Sequence, residues 1–195
     1  LSAARVIEAN RDHLTQLDAA IGDADHGVNL ARGFAAVTAA IGEATTPGAV
    51  LTATGGTLIS KVGGASGPLY GVAFRRAGKV LGAAAEVDLP SLDAALEAAL
   101  AGVQQLGAAR EGDKTMVDAL APATRAFGDA IADGASRAGA LSALAAAAEA
   151  GAAATVCMEA RKGRASYLGP RSVGHEDPGA ASTALILAAL RDAAS

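Results

Sequence analysis

LDAAIGDADHGVNLARGF, Leu17 to Phe34, puts three carboxylates, Asp18, Asp23 and Asp25, within eight residues and flanks them with helical patterns on both sides. Carboxylates this close repel one another unless a cation lies between them. Their oxygens suit a hard ion such as Mg2+ or Ca2+. A solvated acidic turn fits the same stretch equally well when it is read alone. A calcium EF-hand does not. Counting from Asp23, the third ligand position falls on Gly27 and the twelfth on Phe34, which cannot ligate. A cation shared with a bound phosphate stays open, because Mg2+ fills most of its shell with water and phosphate oxygens.

On both sides of this stretch the pattern gives helix after helix. One helix is expected from Ser2 to about Ala20, with Val6, Ile7, Leu14 and Leu17 at helical spacing and Asp18 near its end. A second runs from about Gly27 to Gly42, and Pro47 opens a third. Gly55-Gly56 inside that third helix costs about 1 kcal/mol per glycine against Ala, which calls for a close neighbour or a packing notch. In KVGGASGPLYG, Lys61 to Gly71, the run Ser66-Gly67-Pro68 reads as a helix start. Gly63 and Gly64 leave bare amides before it, either an anion site or a plain turn. The fourth helix should reach Ala85, and the fifth runs from Ser91 to about Gly107. Asp113 or Thr115 could cap a sixth, which should kink at Pro122 and end near Ala132. A seventh is expected from Ser136 to Arg161, its Arg161 and Lys162 suiting the negative end of the dipole. The loop 163–177 carries Arg164, Tyr167, Arg171 and His175, and its length suggests a lid. Asp177-Pro178-Gly179 starts an eighth helix, ending near Asp192.

The expected fold is therefore all-α, an up-and-down antiparallel arrangement of about eight helices in one domain, residues 1–195. Alternate loops then share an end. The four odd-numbered loops hold Asp23 and Asp25, Gly63 to Ser66, Gly107 to Thr115, and Arg164 to Asp177. They are also the four chemically rich ones, which points to one composite site.

Composition narrows the function. Apolar residues make up 51% of the 195-residue chain, much of it Ala, while aromatics are 3% and Trp is absent. Such a core favours close helix–helix packing. The net charge of −4 argues against a general nucleic-acid binder. Cys157 is the only cysteine, which suits a reducing compartment, and it reads as a small packing residue in mid-helix. No run is read as membrane-spanning, the Ala-rich stretch after Leu141 being too weakly apolar, and no signal peptide is evident. The first residue is Leu, so the chain is expected to be cut from a longer one. There is no phosphate loop of the form G-x-x-x-x-G-K-[ST] and no G-x-G-x-x-G after a strand. Any nucleotide is expected to be held through metal. Carboxylates with Mg2+, bare amides and Arg are the parts used in phosphoryl transfer. His13 reads as a surface or core histidine. His26 and His175 suit either nucleotide contact or a structural role.

Four motifs, GDADHGVN at Gly22 to Asn29, VGGASGPLYG at Val62 to Gly71, GDKTM at Gly112 to Met116, and ARKGRASYLG with GHEDPGA at Ala160 to Ala180, resemble the L subunit of dihydroxyacetone kinase and the matching domain of single-chain dihydroxyacetone kinases. The resemblance covers nearly the whole chain. It implies an eight-helix antiparallel barrel with ADP or ATP and two Mg2+ ions at one end. It implies Asp18, Asp23 and Asp25 as metal ligands and, with Arg164, as the catalytic set. His26, Gly27, Val28 and Asn29 would border the nucleotide, and Gly63, Gly64, Ala65 and Ser66 would meet its phosphates. Gly107, Thr115 and Met116 would lie by the adenosine part, Arg164 would reach the phosphates, and Asp177, Pro178 and Gly179 would close the site. It further implies a cytoplasmic kinase subunit that works with a K-type subunit holding dihydroxyacetone. The donor would be an M-type phosphocarrier that rephosphorylates bound ADP or, as in single-chain relatives, exchanging ATP. Another small ketose as acceptor, a non-catalytic nucleotide-loaded adaptor, and a homodimer are alternatives the same resemblance allows.

Overall fold

Thr46, Asp88 and Ser136 each stop one helix start from fraying. Their side chains accept the backbone N–H of Ala49 (3.2 Å), Ser91 (2.9 Å) and Gly139 (3.2 Å). A computed structural model describes residues 1–42 and 44–194. Its helices are α1 (Ser2–Ala9), α2 (Arg11–Ile21), α3 (His26–Ala40), α4 (Pro47–Lys61), α5 (Ser66–Leu81), α6 (Leu89–Gly107), α7 (Val117–Ala132), α8 (Arg137–Ala154) and α9 (Pro178–Ala194). Short 3-10 segments lie at Thr155–Cys157 and Arg164–Ser172, and no strand occurs among the described residues. Each helix packs on the next, and α9 closes on α1 and α2, so the helices form a ring. Counting α1 and α2 as one interrupted stave gives the expected eight.

The expected first helix is two. At Asn10 the side-chain amide donates to Val6 O (2.8 Å), competing with the helix ladder, and φ falls to −108°. The fourth expected helix ends at Leu81, not Ala85, because Gly82 takes φ 56° as its cap. The seventh stops at Ala154, not Arg161. There the buried Thr155 hydroxyl donates to Ala152 O and accepts the N–H of Asp177, drawing the chain into a 3-10 turn. Arg161 and Lys162 therefore lie beyond the helix and do not meet its dipole. Cys157 is exposed on that turn, so it is not a packing residue. α7 runs through Pro122, whose missing N–H leaves Asp118 O without its helical partner. That carbonyl faces Gly151 of α8, where a Cβ would lie 2.2 Å away.

Small residues let the staves touch. A Cβ on Gly55 would sit 2.4 Å from Gly71 O, and one on Gly78 would sit 2.7 Å from Gly48 O, so α4 and α5 meet backbone to backbone. The Gly55 cost is thus a packing notch; Gly56 has open space. Ile7, Leu14, Leu30, Leu58, Val103, Phe127, Leu141 and Leu144 fill the interior with many alanines between them. By length and mean hydropathy (1.5), Arg137–Cys157 does qualify as a candidate membrane span, correcting the expectation above. In the ring it is a stave, with Leu141, Leu144, Ala145 and Ala148 turned inward.

Candidate functional site

The loops α2–α3, α4–α5, α6–α7 and α8–α9 meet at one end of the ring around a cleft of about 810 Å³. This is the convergence expected from the alternation of rich and plain loops. Asp18 lies in the last turn of α2 and is buried. Its Oδ2 accepts the N–H of Asp25 (2.8 Å) and of His26 (3.1 Å), fixing the loop that follows. Gly22 leaves room for the other oxygen, because a Cβ there would lie 2.0 Å from Asp18 Oδ1. Ala24 takes φ 62° between Asp23 and Asp25. A left-handed alanine costs about 1–2 kcal/mol. The result is that one carboxylate oxygen from each of Asp18, Asp23 and Asp25 lies within 4.8 Å of the others. Three like charges held this close in hard-oxygen form fit a divalent cation.

Across the cleft, the guanidinium of Arg164 reaches Asp23 Oδ2 at 3.1 Å and is 69% exposed, leaving it free to turn toward a bound anion. The start of α5 has no side-chain cap. Ser66, which could supply one, is engaged elsewhere: its Oγ lies 3.0 Å from His26 Nδ1. The first amides of α5 therefore stay open to an anion, next to Gly63 and Gly64 on the cleft wall. His26 Nε2 pairs with Ser182 Oγ (2.9 Å), and Tyr70 Oη lies 2.7 Å from the same oxygen and 2.9 Å from Thr183 Oγ1. This buried network joins α3, α5 and α9 behind the aspartates. Burial lowers the His26 imidazole below its usual range against the pull of Asp18 and Asp25. Burial also pushes the Tyr70 phenol up to about 12, so it stays protonated.

In the α6–α7 loop, Asp118 accepts the N–H of Gly112 and of Thr115 (2.8 Å), holding the loop in place. The Thr115 hydroxyl accepts the N–H of Val117 (3.2 Å) from one residue ahead of the N-cap, Met116, which makes no side-chain cap bond, and Asp113 accepts from Arg110, so neither expected residue is the N-cap of α7. Asp177 accepts the N–H of Ala180 (2.7 Å) at the start of α9. Burial, helped by the Asp118 charge and opposed by the Lys114 ammonium, pushes its carboxyl up to about 7.

Of the residues expected at the site, Asp18, Asp23, Asp25, His26, Gly63, Gly64, Ala65, Ser66, Gly107, Thr115, Met116, Arg164, Asp177, Pro178 and Gly179 all line the cleft. Gly27, Val28 and Asn29 do not. Gly27 is where α3 crosses α2, since a Cβ there would lie 2.0 Å from Arg11 O. Val28 points to solvent, and Asn29 Oδ1 accepts from the Arg32 guanidinium (2.8 Å). His13 and His175 are exposed, and neither lines the cleft. Sequence reasoning missed Ala24, Tyr70, Lys114 and Ser182. Ala24, Tyr70 and Lys114 stand inside quoted motifs, but only backbone conformation and burial distinguish them, and no sequence signal marked Ser182.

The DAK2 domain family matches residues 20–192. The chain is 42% identical over 191 residues to the ADP-binding subunit DhaL of PEP-dependent dihydroxyacetone kinase from Escherichia coli K12, an overlap of 97% of this chain and 91% of that one. It is 40% identical over 192 residues to the corresponding subunit of dihydroxyacetone kinase 1 from Listeria innocua, covering 94% and 88%. Among solved structures, the dihydroxyacetone kinase of C. freundii in complex with AMP-PNP and Mg2+ superimposes with a TM-score of 0.74 at 28% identity. That overlap covers 98% of this chain and 32% of the longer one.

Proposed function

The chain belongs to the DAK2 domain family, and from that premise we propose that it is the nucleotide-binding subunit of a dihydroxyacetone kinase. In this reading residues 1–195 form one L-type domain. It would hold ADP or ATP with two Mg2+ ions and pass a phosphoryl group to dihydroxyacetone presented by a K-type subunit. One observation carries the reading: three carboxylate oxygens within 4.8 Å face an uncapped helix start and an exposed arginine across a single cleft. The cytoplasm is the proposed location.

The donor set fits the metal. All three ligands are hard oxygens, and Arg164 alone offsets their charge at ion-pair distance among the described residues. Bound there, Mg2+ would neutralise charge on the transferred phosphoryl oxygens. The chain's own residues do the rest. Asp18 sets the loop through two backbone amides, so Asp23 and Asp25 need not reorganise on binding. The open amides of α5 and the Ser66 region receive phosphate oxygens. Arg164 exchanges its Asp23 contact for the phosphates, adding charge where it develops. Gly107, Thr115, Met116 and Asp177 to Gly179 wall the side where a nucleoside would lie.

A phosphocarrier that rephosphorylates bound ADP is the proposed donor, because the relatives that the chain covers almost end to end are PEP-dependent. The test combines the purified chain with K-type and M-type partners, a phosphoenolpyruvate-driven carrier system and dihydroxyacetone. Dihydroxyacetone phosphate should form only with all parts present. Formation with ATP and the K-type partner alone would assign ATP as donor. No product in either arrangement would overturn the kinase reading.

A further inference from the structure

Lys114 is the bulkiest completely buried side chain among the described residues, at 1% exposure. No carboxylate lies within ion-pair distance of it among the described residues; carbonyl oxygens surround it instead. Its ammonium donates to the backbone carbonyls of Thr155 (2.8 Å), Met158 (3.2 Å), Ser172 (2.8 Å) and His175. Three N–H bonds are shared among four acceptors, leaving none for a ligand.

The four carbonyls come from two places in the chain. Thr155 and Met158 lie where the chain leaves α8, and Ser172 and His175 lie where it returns toward α9. Lys114 therefore clamps both feet of the excursion 155–175. Other bonds tie the same root together. Gly174 N–H donates to Val156 O (2.8 Å), Ala160 N–H to Ser172 Oγ (2.8 Å), and Arg161 N–H to Asp113 O (3.0 Å). The far end of the excursion carries Arg164, which meets Asp23. Four carbonyl dipoles aimed at one point are tolerable only while a cation sits among them. Without it, the feet have reason to part.

We infer that Lys114 is a positioning residue whose ammonium acts as a built-in monovalent cation, locking the root of the 155–175 lid and so setting the reach of Arg164 to the aspartates. The second half of this statement rests on the role proposed for Arg164 above; the first half does not. The cage has a consequence of its own. Lys114→Ala removes three carbons and the ammonium, so n-propylammonium should refill the space and the charge.

Hydrogen–deuterium exchange on the full chain without nucleotide reads the lid directly. In Lys114→Ala, residues 156–175 should exchange about tenfold faster or more while the rest of the ring keeps its protection. n-Propylammonium should restore protection, and n-propanol at the same concentration should not. Lys114→Met, which keeps the bulk without the charge, should expose the lid and resist rescue. Unchanged lid exchange in both variants, or equal rescue by n-propanol, overturns the inference. Should Lys114→Ala fail to fold, its refolding yield replaces exchange as the readout: a higher yield in n-propylammonium than in n-propanol supports the cage, and equal yields overturn it. A second arm measures Mg2+–ADP affinity of Lys114→Met, Arg164→Gln and the double variant. Losses that do not add indicate action through Arg164, and additive losses refute it. If wild-type protein binds no Mg2+–ADP, the proposed function falls while the exchange arm still decides the role of Lys114.

Discussion

Replacing Asp25 with Asn should stabilise the metal-free protein and abolish most of its stabilisation by Mg2+ and nucleotide. The two effects have opposite signs, which separates a ligand cluster from a structural one. The oxygens of Asp18, Asp23 and Asp25 lie within 4.8 Å of one another. At that distance one pair of like charges repels by about 0.9 kcal/mol in water and about 3.5 kcal/mol at an effective dielectric of 20. Asp25 is half-buried, and it has two such neighbours, one of them already offset by Arg164. Its charge also favours the start of α3 by roughly 0.3–1 kcal/mol, which Asn forfeits. Asp25 makes no side-chain cap bond to that helix. The net gain should be about 1–3 kcal/mol. For a chain of this size that raises the melting temperature by about 2–4 °C per kcal/mol. Calorimetry in a chelator measures this gain, and repeating it with Mg2+ and ADP measures the loss. A lower melting temperature in chelator, or an undiminished rise with Mg2+ and ADP, would refute the electrostatic reasoning.

Three other outcomes follow from the geometry. Asp23→Asn should weaken Mg2+-dependent ADP binding by about tenfold or more while circular dichroism keeps its helical signal; equal binding by calorimetric titration would remove Asp23 from the ligand set. Asp177 holds its proton up to about pH 7 when folded, against 3.8 for the ordinary carboxyl. The stability it contributes is therefore present at acid pH and lost as pH rises toward 7. Asp177→Asn, which does not titrate, should gain on wild type by roughly 3 kcal/mol between pH 5 and pH 8 in urea unfolding, and parallel curves would contradict the shift. Gly27→Ala should destabilise the protein by roughly 1–3 kcal/mol, because its Cβ would meet the α2 backbone. An unchanged urea midpoint would show that α2 and α3 are not in that contact.

The arrangement of the site was readable because loop chemistry alternates along the chain. Rich loops at Asp23, Gly63, Gly112 and Arg164 alternate with plain ones at Thr46, Asp88 and Gly134. An up-and-down ring turns that alternation into one crowded end. Helix ends were less readable where a single side-chain hydrogen bond decides them. Asn10 breaks a good helical pattern with its own side chain, and Thr155 ends α8 because Asp177 comes back to meet it. Asp177 lies 22 residues beyond Thr155, outside a local window, whereas the Asn10 bond to Val6 is local but hidden by an apolar pattern that continues across it. Gly27 stands inside GDADHGVN, but the sequence does not show that α3 crosses α2 there, where a Cβ would lie 2.0 Å from Arg11 O. Lys114 stands in the GDKTM motif with no role assigned to it by the sequence. Only the fold collects four carbonyls from 41 to 61 residues away around it.

The proposed function stands on divalent cations among Asp18, Asp23 and Asp25 that anchor a nucleotide polyphosphate. Isothermal titration of ADP into the wild-type chain, once with Mg2+ and once with a chelator, tests this most directly. Saturable one-site binding with Mg2+ and none with the chelator is the predicted result. Equal binding in the chelator, or no heat in either, would contradict it.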